Sequence, residues 1–389
     1  MEKNKMISPF QTISILSISF MMYAAGSLIA PALNALQEEF PDTPFTTIRM
    51  IMTSMYLSIL VFSLISGRLG TIMSKKLLVI IGLAIYGTMG LVGANLSSVP
   101  ALMTCRIIMG CGVGLVLPQA TAIILLFYEG KEKERYTGFA TGISNLGSMI
   151  GSIVGGAAAA MSWRYNFYCF AFSFVIMLLV MIGVPSTPIS EKKPKTERVK
   201  NTLPSGIWLL SLGMVLIQIY SLVTPTNMAR FYLGEGLGPA SLLGIIMAFL
   251  TGSGFAGGFI LPQVRHIFRD KTALLGCVLT GIGFLILWKT TSVYTTILAQ
   301  ICIGFANGIL TPMIFIGNAR LSKPDQLPIT NSIMSSSLYL GCFLTAYIQN
   351  GIGAVSGNTS QRFMFAVFGA GAFLIAIVVA IIQKSMTHK

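Results

Sequence analysis

Charged residues are scarce in this sequence. Only 10% of the 389 residues are charged, whereas 54% are hydrophobic. A water-soluble protein of this length needs charged groups over most of its surface, but a protein surrounded by lipid does not. The composition therefore excludes an ordinary soluble domain and favours a membrane protein.

Patterns typical of metal, redox and nucleotide chemistry are missing as well. The two histidines are far apart, and the six cysteines form no CxxC pair. All six cysteines fall in apolar stretches, where they are interpreted as small core residues: Cys105, Cys111, Cys169, Cys277, Cys302 and Cys342. No GxxxxGK[ST] loop occurs, and no paired carboxylates or nucleophile arrangement favours catalysis. We therefore expect no cofactor, no metal site and no enzymatic activity.

Apolar stretches long enough to cross a membrane, about 17 to 25 residues each, recur along the chain. Twelve spans are predicted, at 10–36, 45–66, 77–97, 100–127, 136–160, 165–184, 206–231, 240–262, 272–289, 293–318, 328–353 and 362–383. The first apolar run has the basic start of a signal peptide, but it extends well beyond an h-region of about 7 to 15 residues. It is predicted to be an uncleaved first span.

The net charge of +14 could indicate nucleic-acid binding, so the positions of the basic residues have to be considered. With the N-terminus inside, 20 of the 26 basic residues lie at the cytosolic face. This asymmetry predicts a multi-pass protein of the cytoplasmic (inner) cell membrane, in contact with lipids, with both termini cytosolic. It also argues against nucleic acid as a partner. Arg49 and Arg230, near the outer ends of their spans, are expected to extend toward the interface as anchors.

The chain is predicted to contain two related halves. A polar segment at 186–204 separates residues 1–185 from residues 205–389, with six spans in each half. Landmarks recur at an offset of 194 residues: Arg106, Gly110, Gly114 and Pro118 in span 4 match Gln300, Gly304, Gly308 and Pro312 in span 10. Arg164 and Arg362 match at an offset of 198 residues.

Four local motifs carry a resemblance to a known family. They are GRLGTIMSKK between spans 2 and 3, LMTCRIIMGCGVG in span 4, GSMIGSIVGG in span 5 and the WRYNF corner after span 5. Together they resemble the major facilitator superfamily (MFS) over essentially the whole chain, with the pattern of its bacterial drug and solute efflux branch. Thr71 and Ser74 replace the aspartate and second glycine of the first motif, and Ser152 replaces the proline of the third.

The resemblance implies an all-α membrane protein whose twelve transmembrane helices form two pseudo-symmetric six-helix bundles. It also implies a monomer that moves a small-molecule substrate by alternating access, with a proton or a counter-solute as a candidate coupling ion. Gating or helix-packing positions are expected at Gly67, Lys75, Lys76, Gly110, Gly114, Pro118, Gly147, Gly151, Gly155, Pro225 and Pro312. For the glycines, close helix packing is the simpler interpretation.

Arg106 is the most conspicuous candidate site residue. A guanidinium inside a span costs about 2.5 to 3.5 kcal/mol unless it faces the protein interior or water. All twelve acidic residues lie at span ends, in loops or in the linker, so none can pair with it in the middle of the membrane. Three alternatives remain: Arg106 attracts an anionic substrate, it caps backbone carbonyls between spans 1 and 4, or Glu38 or Glu39 titrates during the transport cycle.

The other candidate substrate ligands are polar residues on spans 1, 5, 7 and 10. They are Gln300, Tyr23, Ser27, Asn34, Gln218, Ser221, Thr224 and Asn145. Three functional hypotheses follow. The first is secondary transport of an organic anion bound near Arg106. The second is proton-coupled efflux of amphipathic, drug-like compounds. The third is a sensor that binds a solute without transporting it.

Overall fold

The computed structural model describes residues 7–70, 72–187, 203–323 and 326–387, and every regular element in these ranges is helical. The helices are α1 Pro9–Ser27, α2 Leu33–Glu39, α3 Phe45–Leu69, α4 Lys75–Ala94, α5 Val99–Phe127, α6 Gly130–Met161, α7 Trp163–Tyr168, α8 Phe172–Gly183, α9 Ser205–Gly234, α10 Ala240–Phe259, α11 Leu261–Phe268, α12 Thr272–Lys289, α13 Val293–Leu321, α14 Leu327–Ser356 and α15 Gln361–Thr387. The predicted all-α class is confirmed. Thr71 and most of the predicted linker lie outside the described residues.

Within the described residues, eleven helical segments are long and apolar enough to cross a membrane, and a bent pair adds a twelfth if it counts as one span. The pair consists of Pro9–Met21 and Ala25–Glu39, which meet at 44°. The predicted first span, 10–36, therefore corresponds to this bent pair of helices. A 3₁₀ turn at Ala30–Ala32 separates α1 from α2. Pro31 in this turn has no N–H to donate, so it cannot continue the α-helical hydrogen bonding.

The first unit comprises Met1–Ile29 and Ser54–Asn201. Within it α1 packs against α6 and α8, while α4 packs against α5 and α8. Prolines do not end these helices, since Pro118 lies inside the continuous helix α5. The helices contribute buried aliphatic and aromatic side chains on their inner sides, and many large apolar side chains remain exposed, as expected of a surface that meets lipid.

The second unit comprises Ala30–Thr53 and Thr202–Lys389. Here α9 packs against α14, α12 against α15, and α13 against both α10 and α12. Three of these pairs repeat pairs of the first unit: α9–α14 corresponds to α1–α6, α12–α15 to α4–α8, and α12–α13 to α4–α5. Pro225 and Pro312 lie inside continuous helices, as Pro118 does. The division of the chain at residues 186–204 stays a prediction.

Glycines allow the closest helix contacts in both units. A Cβ at Gly110 would overlap with the carbonyl oxygen of Met55 and the hydroxyl of Ser58, and a Cβ at Gly304 would overlap with the corresponding groups of Leu250 and Ser253. Gly147 similarly abuts the carbonyl oxygen of Phe20, and Gly155 that of Leu28. A larger side chain at any of these positions would push two helices apart.

Candidate functional site

Arg106 lies on α5 in the first unit and is 0% exposed. Its Nη2 donates to the backbone carbonyl oxygen of Ala25 at 3.0 Å and lies 2.6 Å from the sulfur of Met55. The guanidinium carbon is 5.6 Å from the centroid of the Phe170 ring. The side chain is therefore packed among apolar and sulfur-containing neighbours and bound to a backbone acceptor.

The position of Ala25 explains this contact. Ala25 lies in the last turn of α1, where carbonyl groups lack their usual helical partners. The N–H of Ile29, which would serve Ala25 in a continuous helix, is bonded to Gly26 instead. A cation at a helix C-terminus also interacts favourably with the helix dipole. Of the alternatives considered for Arg106, this geometry favours the carbonyl cap; the substrate role stays a prediction.

Gln300 occupies the matching position on α13 in the second unit and is also 0% exposed. Neither its Nε2 nor its Oε1 has a hydrogen-bond partner among the described residues. A buried amide without partners is costly, by about 1 to 3 kcal/mol for each unsatisfied group. Gln300 therefore offers a donor and an acceptor that are not used by the protein itself in this conformation.

Three of the predicted substrate-binding residues, Gln218, Ser221 and Thr224, are spaced three residues apart on α9. Gln218 is nearly buried, and its Nε2 donates to Thr311 Oγ1 at 3.3 Å. The Thr311 hydroxyl in turn donates to Asn307 Oδ1 at 3.0 Å. Ser221 lines a cavity, whereas the hydroxyl of Thr224 is buried and has no hydrogen-bond partner among the described residues. Hydrogen bonds thus link Gln218 through Thr311 to Asn307, which lines the same cavity as Ser221.

This cavity, of about 170 Å³, lies among helices α9, α12, α13 and α15 of the second unit. Its wall is mostly aliphatic and carries no charged side chain; examples are Leu216, Ile217, Ile303, Leu310, Ile314 and Ile375. Four side chains add polar atoms: Tyr220, Ser221, Thr280 and Asn307. An apolar wall with a few polar groups is the usual composition of a small-molecule pocket.

Hydrogen bonding leaves several of these polar groups free. Thr280 is bonded to the carbonyl oxygen of Gly276 at 2.9 Å. Among the described residues, however, Tyr220 and Ser221 have no hydrogen-bond partner, and the Nδ2 of Asn307 has no acceptor. Because the Oδ1 of Asn307 accepts a hydrogen bond from Thr311, the Nδ2 of Asn307 remains available as a donor. Sequence reasoning included Ser221 but missed Tyr220 and Asn307, although a polar residue inside an apolar span was the available signal.

The remaining predicted ligands are not part of this cavity wall. Asn145 bonds to the Thr141 carbonyl of its own helix at 3.0 Å, and Asn34 donates to Glu38 at 2.8 Å. Ser27 ends α1 and is half-buried. Tyr23 lies in α1, but its side chain is outside the described part of the structure.

The basic pair at the start of α4 takes part in helix capping. Lys76 Nζ donates to the carbonyl oxygens of Met181 and Val184, at 2.8 and 2.7 Å, where α8 ends. Lys75 is half-buried next to it. Gly67 has open space around its Cβ position, so no close approach requires a glycine there. Gly151 is buried in α6. Roles of these residues in gating stay predictions.

Arg49 differs from its expected role. It is 1% exposed, so it does not extend to the interface as an anchor. Its Nη1 lies 2.5 Å from Gln349 Oε1, and neighbouring side chains of α9 and α14 complete a buried polar cluster. Sequence position alone could not reveal this, because Arg49 and Gln349 are 300 residues apart. Arg230, by contrast, is exposed.

Comparison with known proteins identifies the family. The model of the Major Facilitator Superfamily matches residues 15–269. The chain belongs to this superfamily. Its fold and family are those of multi-pass membrane transporters, and the resemblance found in the sequence motifs is confirmed.

Relatives within the superfamily can be aligned with most of the chain. An uncharacterized MFS-type transporter, YceJ of Bacillus subtilis (strain 168), is 24% identical over 369 residues, covering 90% of this chain and 93% of the relative. The quinolone resistance protein NorA of Staphylococcus aureus (strain Mu50) is 24% identical over 310 residues, covering 77% of this chain and 76% of the relative.

Solved structures agree in fold. A mutant of the nucleoside transporter NupG matches with a TM-score of 0.83 at 13% identity, covering 95% of this chain and 99% of that one. A bacterial homologue of the human lysosomal transporter Spinster, in an inward-facing conformation, matches with a TM-score of 0.75 at 14% identity, covering 97% of this chain and 96% of that one. At these identities the similarity concerns the fold alone.

Proposed function

We propose that this superfamily member is a secondary transporter of small amphipathic organic molecules without a required negative charge, and that the cavity of the second unit binds part of the solute. The observation that carries this proposal is the composition of the cavity wall, which is apolar, uncharged and supplied with unpaired hydrogen-bonding groups. A solute with a ring and a hydroxyl, carbonyl or amide group fits this chemistry.

The size of the cavity sets a limit on what it holds. An apolar cavity of roughly 150 Å³ accommodates benzene, whereas pockets for drug-sized ligands measure about 300 to 1,000 Å³. At about 170 Å³, this cavity fits one ring-sized group of a larger molecule. Tyr220, Ser221 and Asn307 would then orient that group by hydrogen bonds.

Efflux is the direction favoured by similarity. The relative NorA is named for quinolone resistance, which fits an exporter of amphipathic compounds. The rival hypothesis, an organic anion at Arg106, has less geometric support. The guanidinium is fully buried and already donates to the Ala25 carbonyl, so an anion would have to displace a backbone partner. Proton coupling through Glu38 also stays a hypothesis; this carboxylate is exposed and accepts a hydrogen bond from Asn34.

Flux in proteoliposomes separates these functions. The full-length protein is reconstituted, and movement of a quinolone (norfloxacin), a neutral lipophilic dye (Nile red) and an aromatic carboxylate (benzoate) is compared with protein-free liposomes. The proposal expects protein-dependent flux of norfloxacin and of Nile red. Each of these two compounds should inhibit the flux of the other. Flux of benzoate alone would support the anion hypothesis and overturn the proposal. Saturable binding of a solute without flux, with and without a pH gradient, would support a sensor.

A further inference from the structure

Two arginines lie close together in the second unit, near the first turns of α3 and the last turns of α9. Arg49 and Arg230 both approach the ring of Phe45, with guanidinium carbons 5.3 and 4.7 Å from its centroid. Arg49 is buried and Arg230 is exposed. Two like charges that share one aromatic ring repel each other, and the burial of Arg49 strengthens the repulsion.

Among the described residues, the hydrogen-bond partners of Arg49 are neutral. Its Nη1 donates to Gln349 Oε1 at 2.5 Å and reaches Asn227 Oδ1 at 3.4 Å. Gln349 Oε1 is shared, since Asn227 Nδ2 also donates to it at 2.5 Å, and Gln349 Nε2 donates to Thr226 Oγ1 at 3.0 Å. Amide oxygens can accept hydrogen bonds from a guanidinium, but they do not neutralise its charge.

The hydrogen bonding of Arg49 is also incomplete. Its Nε is buried and has no acceptor among the described residues. Within the part of the chain that the structure describes, no carboxylate forms an ion pair with Arg49 or Arg230. A buried cation without a counter-charge is unfavourable, so a negative partner would stabilise this site.

We propose that Arg49 and Arg230, hereafter the arginine pair, hold a phosphate oxyanion, supplied either as a free ion or as the headgroup of an anionic lipid. Guanidinium groups match the spacing of phosphate oxygens and bind them with charge-assisted hydrogen bonds. The exposed Arg230 gives access, and the buried Arg49 supplies the unpaired donor. The sequence predicts this end of the helices to face outward, at the depth of lipid headgroups.

The arginine pair is separate from the cavity proposed to bind solute. Ser221 lines that cavity and Arg230 lies nine residues further along α9, about 13 Å along the helix axis. A phosphate at the arginine pair is therefore a structural or regulatory ligand of the second unit rather than the transported solute.

The test uses the melting temperature of the full-length protein, measured with inorganic phosphate at constant ionic strength. Bound phosphate should give a saturable rise of about 2 to 4 °C. Arg230→Gln removes an exposed side chain and should require at least about tenfold more phosphate for the same rise. Arg320→Gln, on an exposed arginine of α13, is the matched control and should respond like the unchanged protein.

Gln349→Glu is the decisive variant, because it gives Arg49 a carboxylate at the position of the present amide. This variant should melt at a higher temperature without phosphate and should no longer respond to it. Nanodiscs then separate the two sources. A free ion should stabilise the protein equally in phosphatidylcholine and phosphatidylglycerol, whereas a lipid headgroup should make phosphatidylglycerol stabilising and added phosphate ineffective.

Either lipid result supports the site. The proposal is overturned if neither phosphate nor phosphatidylglycerol stabilises the unchanged protein. It is equally overturned if the ligand that stabilises the unchanged protein, phosphate or phosphatidylglycerol, stabilises Arg230→Gln to the same extent. Because Arg230 is exposed, this second comparison remains available even if Gln349→Glu fails to fold.

Discussion

Arg362 repeats in the second unit the backbone contacts that Arg164 makes in the first. Arg164 Nη1 donates to the carbonyl oxygens of Ala94 and Leu96, at 2.8 and 3.3 Å. Arg362 donates to those of Trp288 and Thr290, at 2.8 and 3.0 Å. The two carbonyl pairs are separated by the 194-residue offset of the sequence repeat. The duplication is therefore visible in side-chain contacts as well as in helix pairing.

Arg362 has one additional partner, and this predicts a pH-dependent stability. It donates to both carboxylate oxygens of Glu235, at 2.8 and 2.9 Å, and this hydrogen bonding lowers the pKa of Glu235 below its ordinary value. A depressed folded-state pKa stabilises the protein above the ordinary pKa, and the stabilisation is lost as pH falls through the folded value. Glu235→Gln should therefore lower the melting temperature at pH 7, and by less at pH 3.

The effect of Glu235→Gln should be small, below about 1 kcal/mol, since both side chains are partly exposed. Glu132→Gln, on an exposed glutamate of α6, serves as the control and should leave the melting temperature unchanged at both pH values. If Glu235→Gln lowers the melting temperature as much at pH 3 as at pH 7, the ion pair is not the cause of the lower melting temperature.

Arg106→Gln is predicted to destabilise the first unit without changing solute preference. The shorter side chain leaves the Ala25 carbonyl without its charged donor, at a cost of about 1 to 3 kcal/mol. Thermal unfolding of the purified protein measures this cost, with Arg320→Gln as the exposed arginine control. If Arg106→Gln melts normally but loses stabilisation by organic anions, the carbonyl-cap interpretation is wrong and the anion hypothesis gains.

Gly110→Ala tests the close contact between α3 and α5. The added methyl group would overlap with the carbonyl oxygen of Met55, and overpacking of this kind costs about 1 to 3 kcal/mol. Gly138→Ala is the matched change inside α6, where nothing lies near the added Cβ, and it should be neutral or stabilising. Equal melting temperatures for the two variants would show that the contact is not tight.

The sequence predicted the helical architecture and most span positions because long apolar runs and their charged ends are strong signals. It also predicted the correspondence of Arg106 with Gln300. The sequence indicated a bend at Pro31 but not whether the helix kinks or is interrupted there, because a proline in an apolar run is compatible with either.

The candidate site was predicted less well than the fold. In a helix that is apolar on nearly all sides, the sequence does not indicate which face turns inward. Ser221 was therefore identified without its neighbours Tyr220 and Asn307. The burial of Arg49 depends on Gln349 and Asn227, which come from distant helices, so its expected role as an exposed anchor, assigned from its place near a span end, was wrong.

Filling the cavity tests the central proposal most directly. Ala273 lines the cavity from α12, whereas Ala370 is exposed on α15, so Ala273→Phe and Ala370→Phe make the same chemical change at a lining and a non-lining position. Flux of norfloxacin and Nile red is measured in proteoliposomes that contain equal amounts of folded protein. We predict that Ala273→Phe loses at least about tenfold in flux, equivalent to about 1.4 kcal/mol, while Ala370→Phe transports normally. Undiminished flux through a correctly folded Ala273→Phe protein would contradict the account.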